Sequence, residues 1–380
     1  AEPASTPMEA AQADSAPEDA GAGYPLSGSQ MGVYLDSQKN PEALMYNIPS
    51  RIVLPKDVDA ERLQEAVRQV LAAHTGIRVR IEDTTGGVIQ VPDMREIQVE
   101  RLSLSGEALN AYALAFARPF NLSEGPLYRA CVATGPDSVV LFTDFHHIAF
   151  DGASMDLFLR EVGEAYGGQA PAPEEMPGHA YGRWEAKQEK SGAWVRDKAY
   201  FDELLKDFES ASEITADLPG KTTGRLAICD IPVDREAADA FCRNHGFTPA
   251  GLFLAAAAYA IGRWTGSASV SLSTISSGRG DAQLQNSFGM FVRTLPLMIE
   301  KKEGQTVLDY VAAAQASLRG SVAHEAYPYT RVAQEHGFKP SIMYACELGV
   351  LADYEIGGHK ARFEGLGQET PKFKVSVHAE

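Results

Sequence analysis

The stretch Asp144-Phe145-His146-His147-Ile148-Ala149-Phe150-Asp151-Gly152 holds the side chains best placed for chemistry. Two adjacent imidazoles are followed, after three intervening residues, by an Asp-Gly pair. Histidine is the side chain whose ordinary pKa lies near working pH. Set at the mouth of a cleft, such an imidazole removes a proton from an attacking amine or hydroxyl. Four fixed residues recur by chance in roughly one in a thousand chains of this size, so the motif needs support from its neighbours.

The elements that must position it are legible. Val139 to Phe145 is almost all apolar or β-branched and reads as a buried strand that delivers the histidines. Asp151-Gly152 marks a turn, and Ala153 to Tyr166 has helical periodicity. Upstream, Ser27 or Ser29 caps a helix over Met31 to Gln38, and a strand covers Arg51 to Leu54. Asp59 caps an amphipathic helix from Ala60 to Ala73. Ile77 to Ile81 and Val88 to Val91 form a hairpin about Gly86-Gly87. Leu127 to Ala133 is a strand beside the one carrying the histidines. A long polar helix is expected from Ala180 to Phe208, bearing Trp184, Trp194, Tyr200 and Leu204.

Beyond a loop from Ser210 to Gly224, Arg225 to Val233 reads as a strand and Arg235 to Asn244 as a helix. Thr248-Pro249 opens an Ala-rich helix to Trp264, apolar on most faces and so expected to be buried all round. Strands are expected at Ala268 to Ile275, Met290 to Ile299, Ile342 to Glu347, and near Arg362 to Glu364 and Phe373 to Val377. Val307 to Arg319 and Thr330 to Glu335 are helical. This is a mixed α/β pattern, and 380 residues favour two halves. The division expected is a linker over 1–23, a first half over 24–209 and a second over 210–380. Ala1 to Gly23, rich in Ala, Pro, Ser and Gly with five acids and no Lys or Arg, is read as a flexible tether.

Acids outnumber bases 51 to 34, a net charge of −17, which argues against duplex nucleic acid and anionic membranes as partners. Ala250 to Ile261, the longest apolar run, is shorter than a membrane span, and no signal peptide is visible; cytoplasm is the expectation. Cys131, Cys229, Cys242 and Cys346 form no Cys-x-x-Cys motif and read as buried, reduced residues. His324, His336, His359 and His378 lack metal-ligand spacing, so no metal is expected. Pro219-Gly220-Lys221-Thr222 lacks the upstream glycine of a phosphate loop.

Several segments together resemble the condensation domains of nonribosomal peptide synthetases, relatives of chloramphenicol acetyltransferase. These are Leu26-Ser27-Gly28-Ser29-Gln30-Met31-Gly32-Val33-Tyr34, His74-Thr75-Gly76-Ile77-Arg78-Val79-Arg80, His146-His147-x-x-x-Asp151-Gly152, Tyr181-Gly182-Arg183-Trp184, Gly278-Arg279, and Gly289 to Leu297. The likeness runs from Tyr24 to the end in the same order. Arg293 stands where the family has Asn, His74 lacks the family's preceding Arg, and the last strands and helix of the family's second half are expected to be missing.

The resemblance implies an α+β fold of two chloramphenicol-acetyltransferase-like subdomains, meeting in a V-shaped pseudo-dimer around a central cleft or tunnel. It implies an acyltransferase that joins a carrier-bound acyl or peptidyl thioester to the amine of a carrier-bound aminoacyl group. The cofactors are then the phosphopantetheine arms of upstream and downstream carrier proteins, with none bound by the domain itself and an adenylation domain as neighbour. His147 becomes the working base or hydrogen-bond partner of the amine, and His146 a support of the turn. Asp151 is assigned to an ion pair rather than a triad, with Arg279 as first partner and Arg78 as second. Gly152 permits close backbone approach and offers an N–H to the developing oxyanion. The rival assignments are an epimerisation domain, a stand-alone coenzyme A-dependent acyltransferase and a non-catalytic recruitment domain.

Overall fold

A computed structural model describes residues 23–215, 227–347, 354–366 and 373–379. Nearly all of the tether, the 219–222 segment and parts of the connections near 220, 350 and 370 lie outside the described residues.

In chain order, β1 (Tyr24–Pro25) leads to α1 (Gly28–Lys39), whose Ser27 cap and Gln30 bond each other's backbone N–H groups reciprocally. β2 (Asn47–Pro55) precedes α2 (Ala60–Ala73), started by the Asp59 carboxylate, which accepts from the Glu61 and Arg62 N–H groups at 2.9 and 3.1 Å. The hairpin β3 (Val79–Thr84) and β4 (Gly87–Pro92) pairs with β1 in a small sheet. β5 (Glu100–Ser103), α3 (Gly106–Phe116), β6 (Tyr128–Thr134) and β7 (Ser138–His146) complete the approach to the histidines, and α4 (Gly152–Tyr166) leaves them.

α2 and α4 pack on one face of the main sheet. Leu63, Val67, Val70, Phe158 and Val162 meet Ile52, Leu54, Leu141 and Phe145, all essentially inaccessible to solvent. The alternate residues of β7, Val140 and Phe142, face Ala113 and Phe116 of α3. Because side chains alternate along a strand, Asp144 and His146 share the α3 face. A strand buried on both faces explains the nearly continuous apolar run that made β7 legible.

The expected long helix is two: α5 (Tyr181–Ser191) and α6 (Val195–Leu204). Gly192 ends α5 in the left-handed region at φ 72°, a conformation glycine adopts without the Cβ penalty. The strand expected over 225–233 is not formed by its described part. Residues 227–233 are irregular and exposed, with Ile228 at 80%, because no strand among the described residues pairs with them. Cys229 lies there and is exposed, against the expectation of burial.

The second half contains α7 (Arg235–His245), α8 (Pro249–Thr265), β8 (Ser269–Ser276), β9 (Arg293–Glu300), α9 (Val307–Ala323), α10 (Tyr329–His336) and β10 (Ile342–Cys346). α8 starts as expected, with the Thr248 hydroxyl accepting from the Gly251 N–H at 3.1 Å. It is not buried all round. Leu254, Ala255, Ala258 and Ile261 pack with α9 against β8, β9 and β10, while Tyr259 and Trp264 are exposed.

β11 (Tyr354–Ile356), β12 (His359–Gly365) and β13 (Val375–Ala379) correct the expected division at 209/210. β13 joins β10 in the second half's sheet, ordered β13-β10-β8-β9. β11 and β12 cross back and extend the first half's sheet, ordered β11-β12-β2-β7-β6-β5. β12 pairs antiparallel with β2, Phe363 opposite Ile52, and Arg51 Nε donates to Glu364 Oε2 at 2.5 Å. No helix among the described residues is long and apolar enough to cross a membrane.

Candidate active site

The two histidines leave the end of β7 in a hydrogen-bonded turn. The His146 N–H donates to Leu127 O at 2.9 Å and the His147 N–H to Tyr46 O at 2.7 Å. His146 Nδ1 accepts the Ile148 N–H at 3.2 Å, so a neutral His146 carries its proton on Nε2. Gln30 Nε2 donates to Ile148 O at 2.8 Å and pins the turn from α1. His146 is buried, with the Phe120 ring edge-on to it at 5.8 Å. A cavity of about 590 Å³, bounded by the end of α1, residues 40–43 and residues 119–123, ends on His146. His147 lies outside that cavity and is partly exposed.

Asp151 is the N-cap of α4 and is almost wholly buried. Its Oδ1 accepts from the Ser154 N–H at 2.8 Å, the Ser154 hydroxyl at 2.8 Å and Arg279 Nη2 at 3.1 Å; its Oδ2 accepts from the Phe291 N–H at 2.9 Å. Arg279 Nη1 donates to the carbonyls of Leu284 and Ser287 at 2.5 and 2.7 Å. The loop from the second half is thus folded around one guanidinium, with a carboxylate of the first half as its anchor. Arg78, the alternative partner, is elsewhere: its Nη2 donates to Arg95 O at 3.1 Å. Gly152 is the first residue of α4, and a Cβ there would meet nothing within 4 Å. Close backbone approach therefore does not demand a glycine at this position. Its N–H is one of the first-turn donors that find no acceptor within the helix itself.

A second charged node, missed in the sequence, braces the same loop. His74 is fully buried, with Nε2 2.6 Å from Glu161 and Nδ1 3.1 Å from Glu174. Its ring stacks on Phe288 at 3.7 Å. Glu174 also accepts the Thr75 N–H at 2.8 Å and the Phe288 N–H at 3.1 Å. Burial disfavours the His74 cation, but the two carboxylates outweigh it and hold its pKa above the ordinary value. The acids come from α4 and from a Pro-rich connection, so no sequence spacing ties them to His74.

A third node explains Arg293. Arg293 Nη1 lies 3.2 Å from Glu185 Oε1, and Glu185 Oε2 accepts the Gly28 N–H at 2.6 Å. Burial brings the Arg293 pKa down to about 10, against the raising charge of Glu325. Burial pushes Glu185 up. Tyr181 stacks on Trp184 at 5.2 Å and Trp194 is buried, so these aromatics serve packing.

His336 meets Asp202 and Glu335 despite its lack of ligand spacing. Lys198 Nζ stands 2.8 Å from both carboxylates, which makes the group an ion-pair network between α6 and α10.

Two helix-covered sheets, bridged at the Asp151–Arg279 pair beside the histidine turn, make up the mixed α/β fold. The chain belongs to the condensation-domain family: the family described as "Condensation domain" matches residues 22–341. Over 314 residues it is 24% identical to surfactin synthase subunit 1 of Bacillus subtilis (strain 168), covering 80% of this chain and 9% of that protein. It is 26% identical over 336 residues to tyrocidine synthase 2 of Brevibacillus parabrevis, covering 87% and 9%. The chain therefore spans only 9% of the length of either relative. Its fold matches the starter condensation domain of rhizomide synthetase, solved in complex with C8-CoA and Leu-SNAC. The TM-score is 0.80 at 21% identity, over 94% of this chain and 86% of that one.

Proposed function

We propose that the domain transfers an acyl or peptidyl group from the phosphopantetheine thioester of an upstream carrier to the amine of an aminoacyl group on a downstream carrier. An adenylation domain is the expected neighbour, and cytoplasm the compartment. His147 is the proposed proton acceptor. The amine attacks the thioester carbonyl, its proton passes to the imidazole, and the thiolate leaves as the tetrahedral intermediate collapses to the amide. The N–H of Gly152 is the proposed donor to the oxyanion. Thioesters are activated acyl donors, so most of the catalysis is alignment of two tethered reactants.

The observation that carries this is how Asp151 is used. Both its oxygens are committed to Ser154, Arg279 and the Phe291 N–H, and it is nearly sealed from solvent. This supports the reading of Asp151 as a structural carboxylate and leaves the partly exposed His147 as the proposed proton acceptor of the turn.

The test mixes donor-loaded and acceptor-loaded carrier domains with the protein and analyses the mass and stereochemistry of what each carrier holds. A dipeptide on the acceptor is expected. A racemised donor, turnover with free coenzyme A thioesters alone, or no product would each overturn the proposal.

A further inference from the structure

Asp144 opens the histidine stretch. It is a carboxylate in a strand that is otherwise apolar, and its exposure is 0%. Oδ2 accepts from Asn47 Nδ2 at 2.8 Å and from Arg129 Nη1 at 2.8 Å, while Oδ1 is buried with no hydrogen-bond partner among the described residues. Arg129 also donates to Arg118 O and Pro119 O, each at 2.7 Å. Its guanidinium lies 3.7 Å from the centre of the Phe120 ring. That ring meets His146 edge-on, and His146 Nδ1 holds the Ile148 N–H inside the turn.

An unbroken set of contacts therefore runs from the carboxylate to the backbone that presents His147. Asn47 closes it from the other side, since in the register of β2 and β7 it stands opposite His146. A fully buried carboxylate with one idle oxygen is costly and gains nothing that an apolar residue would not supply more cheaply.

We infer that Asp144 is a positioning residue: its carboxylate locks Arg129 against Phe120, and so fixes the His146 ring and the turn that carries His147. The inference rests on the proposed role of His147. The charged and titratable groups around the carboxylate are Arg129 on β6, Arg118 after α3 and His146 on β7; Asn47 on β2 is neutral. Burial pushes the Asp144 carboxyl up to about 6, opposed by the Asn47 hydrogen bond and the Arg129 charge. Proton uptake there removes the charge that holds the guanidinium.

The test follows the Ile148 amide and the Arg129 Nε–H by NMR across pH, in the unaltered protein, Asp144→Asn and Arg129→Lys. Both signals are expected to share a step near pH 6 in the unaltered protein. Asp144→Asn should abolish that step. With loaded carriers, Asp144→Asn and Arg129→Lys should each lower kcat by about tenfold with KM unchanged within about twofold, and together cost no more than either alone. A step that survives Asp144→Asn, or an Ile148 amide indifferent to both substitutions, overturns the inference. Should Asp144→Asn fold poorly, Arg129→Lys keeps the charge and loses only the fork, and still decides. A His147→Ala variant that keeps full turnover would instead sink the base assignment and leave this titration untouched.

Discussion

Arg279 Nη2 sits 3.1 Å from Asp151 Oδ1, and this contact joins the two halves at the root of the histidine turn. Both side chains are nearly withdrawn from water, at 9% and 2% exposure. Removing one partner of such a pair leaves the other charge buried and uncompensated. Arg279→Met should therefore lower unfolding stability by about 3–5 kcal/mol, read from the shift in urea midpoint. A loss below about 1 kcal/mol would show that the loop is held by its backbone contacts instead.

His147→Ala should leave the urea midpoint nearly unchanged, since the residue is partly exposed. Product formation on loaded carriers should fall by about 10²-fold or more, the usual contribution of a general base. Retention of activity within about threefold would remove the imidazole from the chemistry.

His74 makes a pH prediction of definite sign. Its pKa in the folded protein is held above the ordinary value of 6.5. The stabilisation from Glu161 and Glu174 is then fully present below the unfolded value and is lost as pH rises through the folded one. The stability difference between the unaltered protein and His74→Gln should be largest below about pH 6 and shrink steadily above it. Melting curves at a series of pH values measure this, and a difference that grows with pH would reverse the assignment.

Arg293 and Glu185 allow a paired test. Glu185→Leu alone strands a buried guanidinium and should cost about 3 kcal/mol. Exchanging both partners, Arg293→Met with Glu185→Leu, should recover most of that loss, because an apolar pair of similar volume escapes the desolvation penalty. A double variant as unstable as the single would place the cost in the Gly28 N–H, which also bonds Glu185.

What the chain discloses before folding divides along physical lines. Ser27, Asp59 and Thr248 announce their helices because a cap acts within one turn. β7 is legible because burial on both faces makes the run Val139 to Phe142 wholly apolar, without the alternation of a half-exposed strand. The Asp151 partner could be named only through the family likeness, since Arg279 is 128 positions away. His74, Glu161 and Glu174 form one group only after α2, α4 and the connection beyond α4 are packed, and nothing local marks them as partners. Asp144 did carry a signal: an acid inside an apolar strand must find a counter-charge. The break at Gly192 was hidden because the helical pattern on either side continues across it. The division of the halves failed at β12, whose pattern says strand but not whose sheet.

The return of β12 to β2 sets a timetable for biosynthesis. Arg51 waits 313 positions for Glu364. At translation rates of about 5–20 residues per second, that is roughly 15–60 seconds on the ribosome. Throughout that wait β2 presents its outer N–H and C=O groups unpaired, which is the template that invites another chain. For that interval this border is open to misassembly, and a chaperone or a slowed ribosome would act by guarding it until the late strands emerge.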